Sequence, residues 1–111
     1  MDKAEIVSGF LLELRRGTLV LCVLAILKEA TYGYNLISLL KDTGISIEGN
    51  TLYPLLRRLE QQGLLESHWN TVETKPRKYY SITVFGSEVL LELKQQFHSL
   101  SKHMEKLLEE H

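Results

Sequence analysis

The sequence predicts a mainly α-helical fold carrying one small β-hairpin. Three observations predict it. Apolar residues recur at helical spacing through most of the chain, two short β-rich runs flank a polar loop near the middle, and a long final segment repeats its apolar positions every three and four residues. With 111 residues, 44% hydrophobic and 24% charged, the chain has the composition of one globular domain and not of a disordered one. A monomer of this size buries a limited core, which self-association would complete.

Residues from about Lys3 to Arg15 suit a first helix, with Ile6, Phe10 and Leu14 at i, i+4 and i+8. Gly17 is expected to interrupt it and Thr18 to cap a second helix running to about Glu29. That second segment is apolar almost all round, the pattern of a central core helix. It holds Cys22, the only cysteine, which reads as a small buried hydrophobe. A lone cysteine excludes a disulfide framework within the chain and suits a reducing cytoplasm. The apolar run from Leu19 to Leu27 is too short to span a bilayer, and no cleavable signal precedes it, so a soluble intracellular protein is expected.

Ala30-Thr31-Tyr32-Gly33 reads as a turn. A third helix is expected from about Tyr34 to Asp42, with Leu36, Ile37, Leu39 and Leu40 facing inward and Gly44 ending it. A fourth begins near Gly49 or Asn50. If Asn50 or Thr51 is its cap, Pro54 falls in the first turn and its missing N–H costs at most one hydrogen bond. Leu52, Leu55, Leu56 and Leu59 form one apolar stripe, Asn50, Tyr53, Arg57, Arg58 and Gln61 lie opposite, and Gly63 stops the helix. Leu65 to Asn70 alternates as a strand, Lys78 to Thr83 is a second, and Thr71 to Pro76 forms a loop longer than a tight turn. Thr83 then caps a last helix from Val84 to about Glu110.

In that last helix Leu90, Leu93, Phe97, Leu100, Met104 and Leu107 are spaced as a heptad seam. At ~1.5 Å per residue the helix outruns the body of a small domain. A projecting apolar seam needs a partner, so a homodimer is expected, held by this seam and by Ile6, Phe10 and Leu14 of the first helix. The bland alternative folds the stripe back on its own domain. Three helices followed by a hairpin make a winged helix-turn-helix. Residues 1–83 are expected to form that unit, including the N-terminal helix 3–15, and residues 84–111 a C-terminal dimerisation helix.

The net charge of −1 gives no global sign of nucleic-acid binding. Residues 1–27 carry three cations and three anions, residues 28–82 seven and six, and residues 83–111 three and five. Any DNA affinity must come from local placement of Arg57, Arg58, Lys75, Arg77 and Lys78, because only phosphate-facing cations release counterions. The helix from Asn50 taken alone is equally a solvated surface helix. With the Tyr32-Gly33-Tyr34 segment before it and the basic hairpin after it, it reads as a major-groove helix. Asn50 and Arg57 suit base edges, Thr51 suits base or phosphate, and Tyr53 suits a phosphate through its hydroxyl. Lys75, Arg77 and Lys78 suit phosphates or a minor groove, with Pro76 stiffening the tip.

No metal is expected: His98 and His103 turn away from each other on a helix, His68 stands alone and His111 is terminal. Ser8, Ser38 and Ser101 lack an evident base and orienter, and no glycine-rich phosphate loop is present, so neither an enzyme nor a bound cofactor is expected. Trp69, Phe10 and Phe97 are core candidates first. Between two projecting helices, Phe10 and Phe97 could also sandwich a flat apolar effector.

Three stretches resemble the PadR-like transcriptional regulators: Thr31-Tyr32-Gly33-Tyr34-Asn35-Leu36, the run from Gly49 to Glu60, and Pro76-Arg77-Lys78-Tyr79-Tyr80-Ser81-Ile82-Thr83. The short single-helix C-terminus looks like the smaller size class of that family. The resemblance implies a homodimeric winged-helix protein, usually a repressor at a pseudo-palindromic operator, often released by phenolic or drug-like compounds. It carries DNA contacts onto Asn50, Thr51, Tyr53, Pro54, Arg57, Arg77 and Lys78, with Tyr32-Gly33-Tyr34 presenting backbone N–H groups to phosphate. The family's wing often holds glycines where this chain has Val72-Glu73-Thr74-Lys75, implying a stiffer, partly acidic tip. Multidrug-binding relatives carry a tryptophan near the place of Phe97. The expected function is sequence-specific regulation of transcription in the cytoplasm, with duplex DNA and a second copy as partners, a phenolic or drug-like effector as a further partner, and no membrane. The alternatives are a winged helix used for protein contacts alone and an effector-sensing dimer without direct DNA recognition.

Overall fold

The computed structural model describes residues 1–72 and 74–109. The elements are α1 (Lys3–Ile26), β1 (Thr31–Tyr32), α2 (Gly33–Asp42), α3 (Gly49–Gln61), β2 (Leu65–Asn70), β3 (Arg77–Ile82) and α4 (Val84–Glu109). The sheet is antiparallel with strand order β1-β3-β2. This is a winged helix with long helices at both ends.

The two helices expected from Lys3 to Arg15 and from Thr18 to Glu29 are a single helix. Gly17 does not break it. A mid-helix glycine costs only about 1 kcal/mol relative to alanine, and Arg15, Arg16 and Leu19 around this one are good helix formers. Thr18 is no cap: its hydroxyl donates back to the Arg15 carbonyl at 3.1 Å, as a mid-helix threonine does. The cap is Asp2, whose carboxylate accepts from the Glu5 N–H at 2.9 Å. The helix stops at Ile26, short of Glu29. Leu27 there enters the core, and its carbonyl accepts the Ile82 N–H at 2.8 Å.

The expected turn at Ala30–Gly33 contains β1, whose Thr31 and Tyr32 pair with Tyr80 and Tyr79. Two residues are too few to show alternation. β2 has its expected bounds, while β3 starts at Arg77 rather than Lys78 and ends before Thr83. Thr83 is thereby left to start α4: its hydroxyl accepts the Gly86 N–H at 2.9 Å and donates to the Gly63 carbonyl at 2.6 Å. The expected end of α4 at Glu110, like the acidic Glu73 of the wing and His111, lies outside the described residues.

Neither Asn50 nor Thr51 caps α3. Glu48 holds that position without a side-chain cap bond, so Pro54 sits beyond the first turn, inside the helix. Proline there deprives the Asn50 carbonyl of its usual donor. Gly44 and Gly63 close their helices in the left-handed region, at φ +90° and +80°.

The core joins the C-terminal part of α1 (Val23, Leu24, Leu27) to Leu36 and Leu40 of α2, Leu52, Leu56 and Leu59 of α3, and Leu65 and Tyr80 at the root of the hairpin. The first half of α1 and the second half of α4 extend beyond it. The Cα radius of gyration is 16.4 Å, against about 13 Å for a compact chain of this length. The accessible surface is 8391 Å², against about 6,300 Å² for a compact monomer of this mass. The expected seam is split: Leu90 is buried in the chain's own core and Leu93 is half-buried, because the first turns of α4 pack against α1. The exposed seam runs from Phe97 through Leu100 and Met104 to Leu107, and Ile6, Phe10 and Leu14 are exposed on α1.

Candidate nucleic-acid interface

α3 presents Asn50, Thr51, Tyr53, Pro54 and Arg57 to solvent because its opposite stripe is consumed by the core: Leu52, Leu56 and Leu59 are buried and Leu55 is half-buried. Tyr53 is placed by two glycines. A Cβ on Gly33 would stand 2.7 Å from its Cε1, and a Cβ on Gly49 would stand 3.0 Å from its Cε2. The ring therefore lies against the first residues of both α2 and α3. Sequence reasoning singled out Gly33 for its backbone N–H and Gly49 as a start of its helix and of a family motif. Their structural role is to leave room.

The wing is tied to the same place. Tyr32 and Tyr34 stack at 5.8 Å between centroids with an interplanar angle of 7°. Tyr79 meets Tyr32 edge-on at 5.6 Å, and the Arg77 guanidinium carbon lies 4.7 Å from the Tyr32 centroid. The register explains this: Tyr79 is opposite Tyr32, and Arg77, two residues earlier on β3, shares its face. On the other face Lys78 Nζ lies 5.4 Å from the Tyr80 centroid, and Lys78 is opposite Trp69. Tyr32, Tyr34, Tyr53, Trp69, Arg77 and Lys78 line one cleft of about 330 Å³. Three stretches that are far apart in sequence thus meet. Trp69 is 64% exposed there, so it is neither core nor part of α1 or α4. A quenching measurement on Trp69 reports on the wing and not on the seam of its own chain.

Lys75 is exposed at the hairpin tip, where Asn70 Oδ1 accepts the Val72 N–H at 3.1 Å and turns the chain out of β2. Thr51 and Pro54 do not join the cleft. They turn toward α1, lining a groove of about 360 Å³ with Arg16 and Arg58. Thr51 also lines a groove of about 380 Å³ with Arg15 and Arg16. Sequence reasoning passed over those arginines, although Leu12, Arg15, Arg16 and Leu19 share one helical face. Phe10 and Phe97, the effector candidates, stand on exposed stretches of α1 and α4, with the Phe97 ring edge-on to His98 at 6.1 Å.

Burial pushes the Cys22 thiol up, which favours its neutral form and suits an inert residue beside the core. Among the described residues, no group of three or more His, Cys, Asp or Glu side chains is placed to hold a metal ion, and no helix is long and apolar enough to cross a membrane.

Residues 21–92, which run from the core half of α1 into α4, match the model of the transcriptional regulator PadR-like family. The chain belongs to the PadR-like family. Its fold is close to that of a PadR family transcriptional regulator from Eggerthella lenta, with a TM-score of 0.89 and 56% identity, covering 95% of this chain and 94% of that one. A PadR-like regulator from Bacillus cereus aligns with a TM-score of 0.78 and 34% identity over 86% of this chain and 96% of that one. A transcriptional regulator of Mycobacterium tuberculosis is 34% identical over 61 residues, 55% of this chain and 57% of its own length. As a PadR-like protein this chain is a DNA-binding transcriptional regulator and not an enzyme.

Proposed function

We propose that this PadR-like chain is a homodimeric repressor whose paired α3 helices enter successive major grooves of a pseudo-palindromic operator. The observation that carries this reading is the cleft in which the start of α2, the start of α3 and the base of the wing converge. A helix flanked by cations and hydroxyls at its exposed N-terminal end suits a groove. Asn50 and Arg57 read base edges. Tyr53, the backbone N–H groups at Tyr32-Gly33-Tyr34, and Lys75, Arg77 and Lys78 hold phosphates. Thr51 and Pro54 face the other wall. Residues 1–83 are the reading unit and residues 84–111 the pairing helix, with half-sites about 34 Å apart.

Dimerisation is supported by the exposed apolar stripes on α1 and α4 and by the surface in excess of a compact monomer. A flat aromatic compound held between Phe10 and Phe97 would act from that seam, a role supported by the exposure of both rings beyond the core. The compartment is the cytoplasm, where such a regulator meets its DNA.

The test is binding of the chain to the DNA upstream of its own coding sequence, at several salt concentrations. Charge reversal by Arg77→Glu with Lys78→Glu weakens binding to every sequence and flattens the salt dependence. Unchanged affinity in that variant removes the wing from the interface. No binding by the unmodified chain favours a winged helix used for protein contacts.

A further inference from the structure

Arg15 and Arg16 lie in the stretch of α1 that the sequence presents as electrically balanced. On the helix they share a face with Leu12 and Leu19, at i, i+3, i+4 and i+7. The same stripe turns inward four residues further on, at the fully buried Val23. The arginines therefore stand where the stripe leaves the core, facing the beginning of α3 and not the open side of α1. Arg16 shares one groove with Thr51, Pro54 and Arg58, and Arg15 joins Arg16 and Thr51 in the adjoining one.

Three arginines thus line two adjoining grooves on the flank of α3 that carries Thr51 and Pro54, while Tyr53 lines the aromatic cleft. Glu48 is, among the described residues, the only carboxylate lining either groove. Among the described residues, none of the three arginines makes an ion pair within 4.0 Å. Three cations beside one carboxylate leave a positive excess, which raises the local potential and favours an anion. A helix in a major groove about 12 Å wide has a phosphate backbone on each side. The aromatic cleft and wing serve one of those walls, and on the other Thr51 and Pro54 supply no positive charge.

We infer that Arg15, Arg16 and Arg58 form a second phosphate-binding site, which grips the DNA backbone on the side of α3 opposite the wing. The inference rests on the proposed DNA-binding role of α3. Its residues place α3 in the groove and carry no base preference, since guanidinium groups on phosphate report position and not sequence. The unbroken α1 is what makes the site: a break at Gly17 would have uncoupled both arginines from the core half of the helix.

The experiment compares the unmodified chain with Arg15→Gln/Arg16→Gln and with Arg58→Gln. Binding to a labelled upstream duplex and to a scrambled duplex is followed by anisotropy between 50 and 200 mM salt, as working concentrations. Each lost phosphate contact lowers the slope of log K against log salt by about 0.9, so a dimer of the double variant loses roughly 2 to 4 units of slope. Both duplexes weaken by the same factor, the mass in solution is unchanged, and Arg16→Lys keeps most of the slope. Lys106→Gln/Lys102→Gln toward the far end of α4 serves as the charge-matched control for the double variant, and Lys106→Gln for Arg58→Gln. Unchanged slopes in the arginine variants overturn the site, with DNA binding by α3 and the wing left standing. So does a shift of the double variant to monomer, which would show that these arginines meet a second copy instead. If the unmodified chain binds neither duplex, the DNA-contact reading falls and takes this site with it.

Discussion

Tyr53 occupies the space that a side chain on Gly33 would need, with its Cε1 2.7 Å from the position of that absent Cβ. Gly49 closes the other edge of the ring at 3.0 Å. One aromatic ring therefore sets how closely the first turns of α2 and α3 approach each other. Gly33→Ala should push the ring outward, because Gly49 blocks retreat on its far side. DNA affinity is expected to fall several-fold, while stability falls by about 1 kcal/mol, since Tyr53 is partly exposed and can move. Thermal unfolding beside a gel shift checks it. The double variant Gly33→Ala/Tyr53→Ala should recover stability without affinity, and failure to recover stability removes the steric account.

Gly86 presents a harder limit. A Cβ there would run into the Leu64 carbonyl and would stand 2.7 Å from Ile82 Cγ1. Backbone cannot swing aside as a ring can. Gly86→Ala is expected to cost roughly 1–3 kcal/mol in urea unfolding. A loss below half a kilocalorie per mole, about the scatter of neutral surface changes, would contradict that close approach.

Thr83 joins the end of α3 to the start of α4. Its hydroxyl donates to the Gly63 carbonyl at 2.6 Å and accepts the Gly86 N–H at 2.9 Å. Thr83→Val keeps the shape and removes both bonds, at an expected cost of about 1–3 kcal/mol. Thr83→Ser should retain most of the stability. Equal losses in the two variants would point to the methyl group instead.

Leu100 and Met104 lie on the exposed part of α4. If the proposed dimer pairs through this seam, Leu100→Glu/Met104→Glu is expected to convert it to monomer in sedimentation velocity and to remove the dependence of Tm on protein concentration. A dimer that persists unchanged would place the pairing surface elsewhere.

Cys22 carries a thiol raised by burial. A raised thiol pKa favours the protonated form in the folded state, so its stabilising contribution is full below the ordinary thiol range and is lost as pH rises through the folded value. At pH 7 the folded chain should react with a thiol reagent far more slowly than the urea-unfolded chain. Equal rates would show an accessible thiol.

Local chemistry made most of the architecture legible. Leucines at helical spacing defined α2 and α3, Gly44 and Gly63 ended them, and alternation from Leu65 to Asn70 marked β2, because these signals are written within a few neighbouring residues. The family motifs were likewise contiguous. Where local rules were weak they misled. Gly17 and Thr18 looked like a boundary, but a glycine penalty of about 1 kcal/mol is small beside the packing of a long helix.

Three-dimensional packing alone decided the rest. Thr31 and Tyr32 became a strand only because β3 offers them a ladder, and Leu90 left the seam because the root of α4 lies on the core. Arg15 and Arg16, balanced by acids along the chain, share a groove with Thr51, and Arg16 shares an adjoining one with Arg58. Gly33 and Gly49 matter for the ring between them. Sequence determines which residues share a face of one element, since that depends on the period of the backbone. Which faces of different elements meet depends on burying the leucine core, and that is a property of the whole fold.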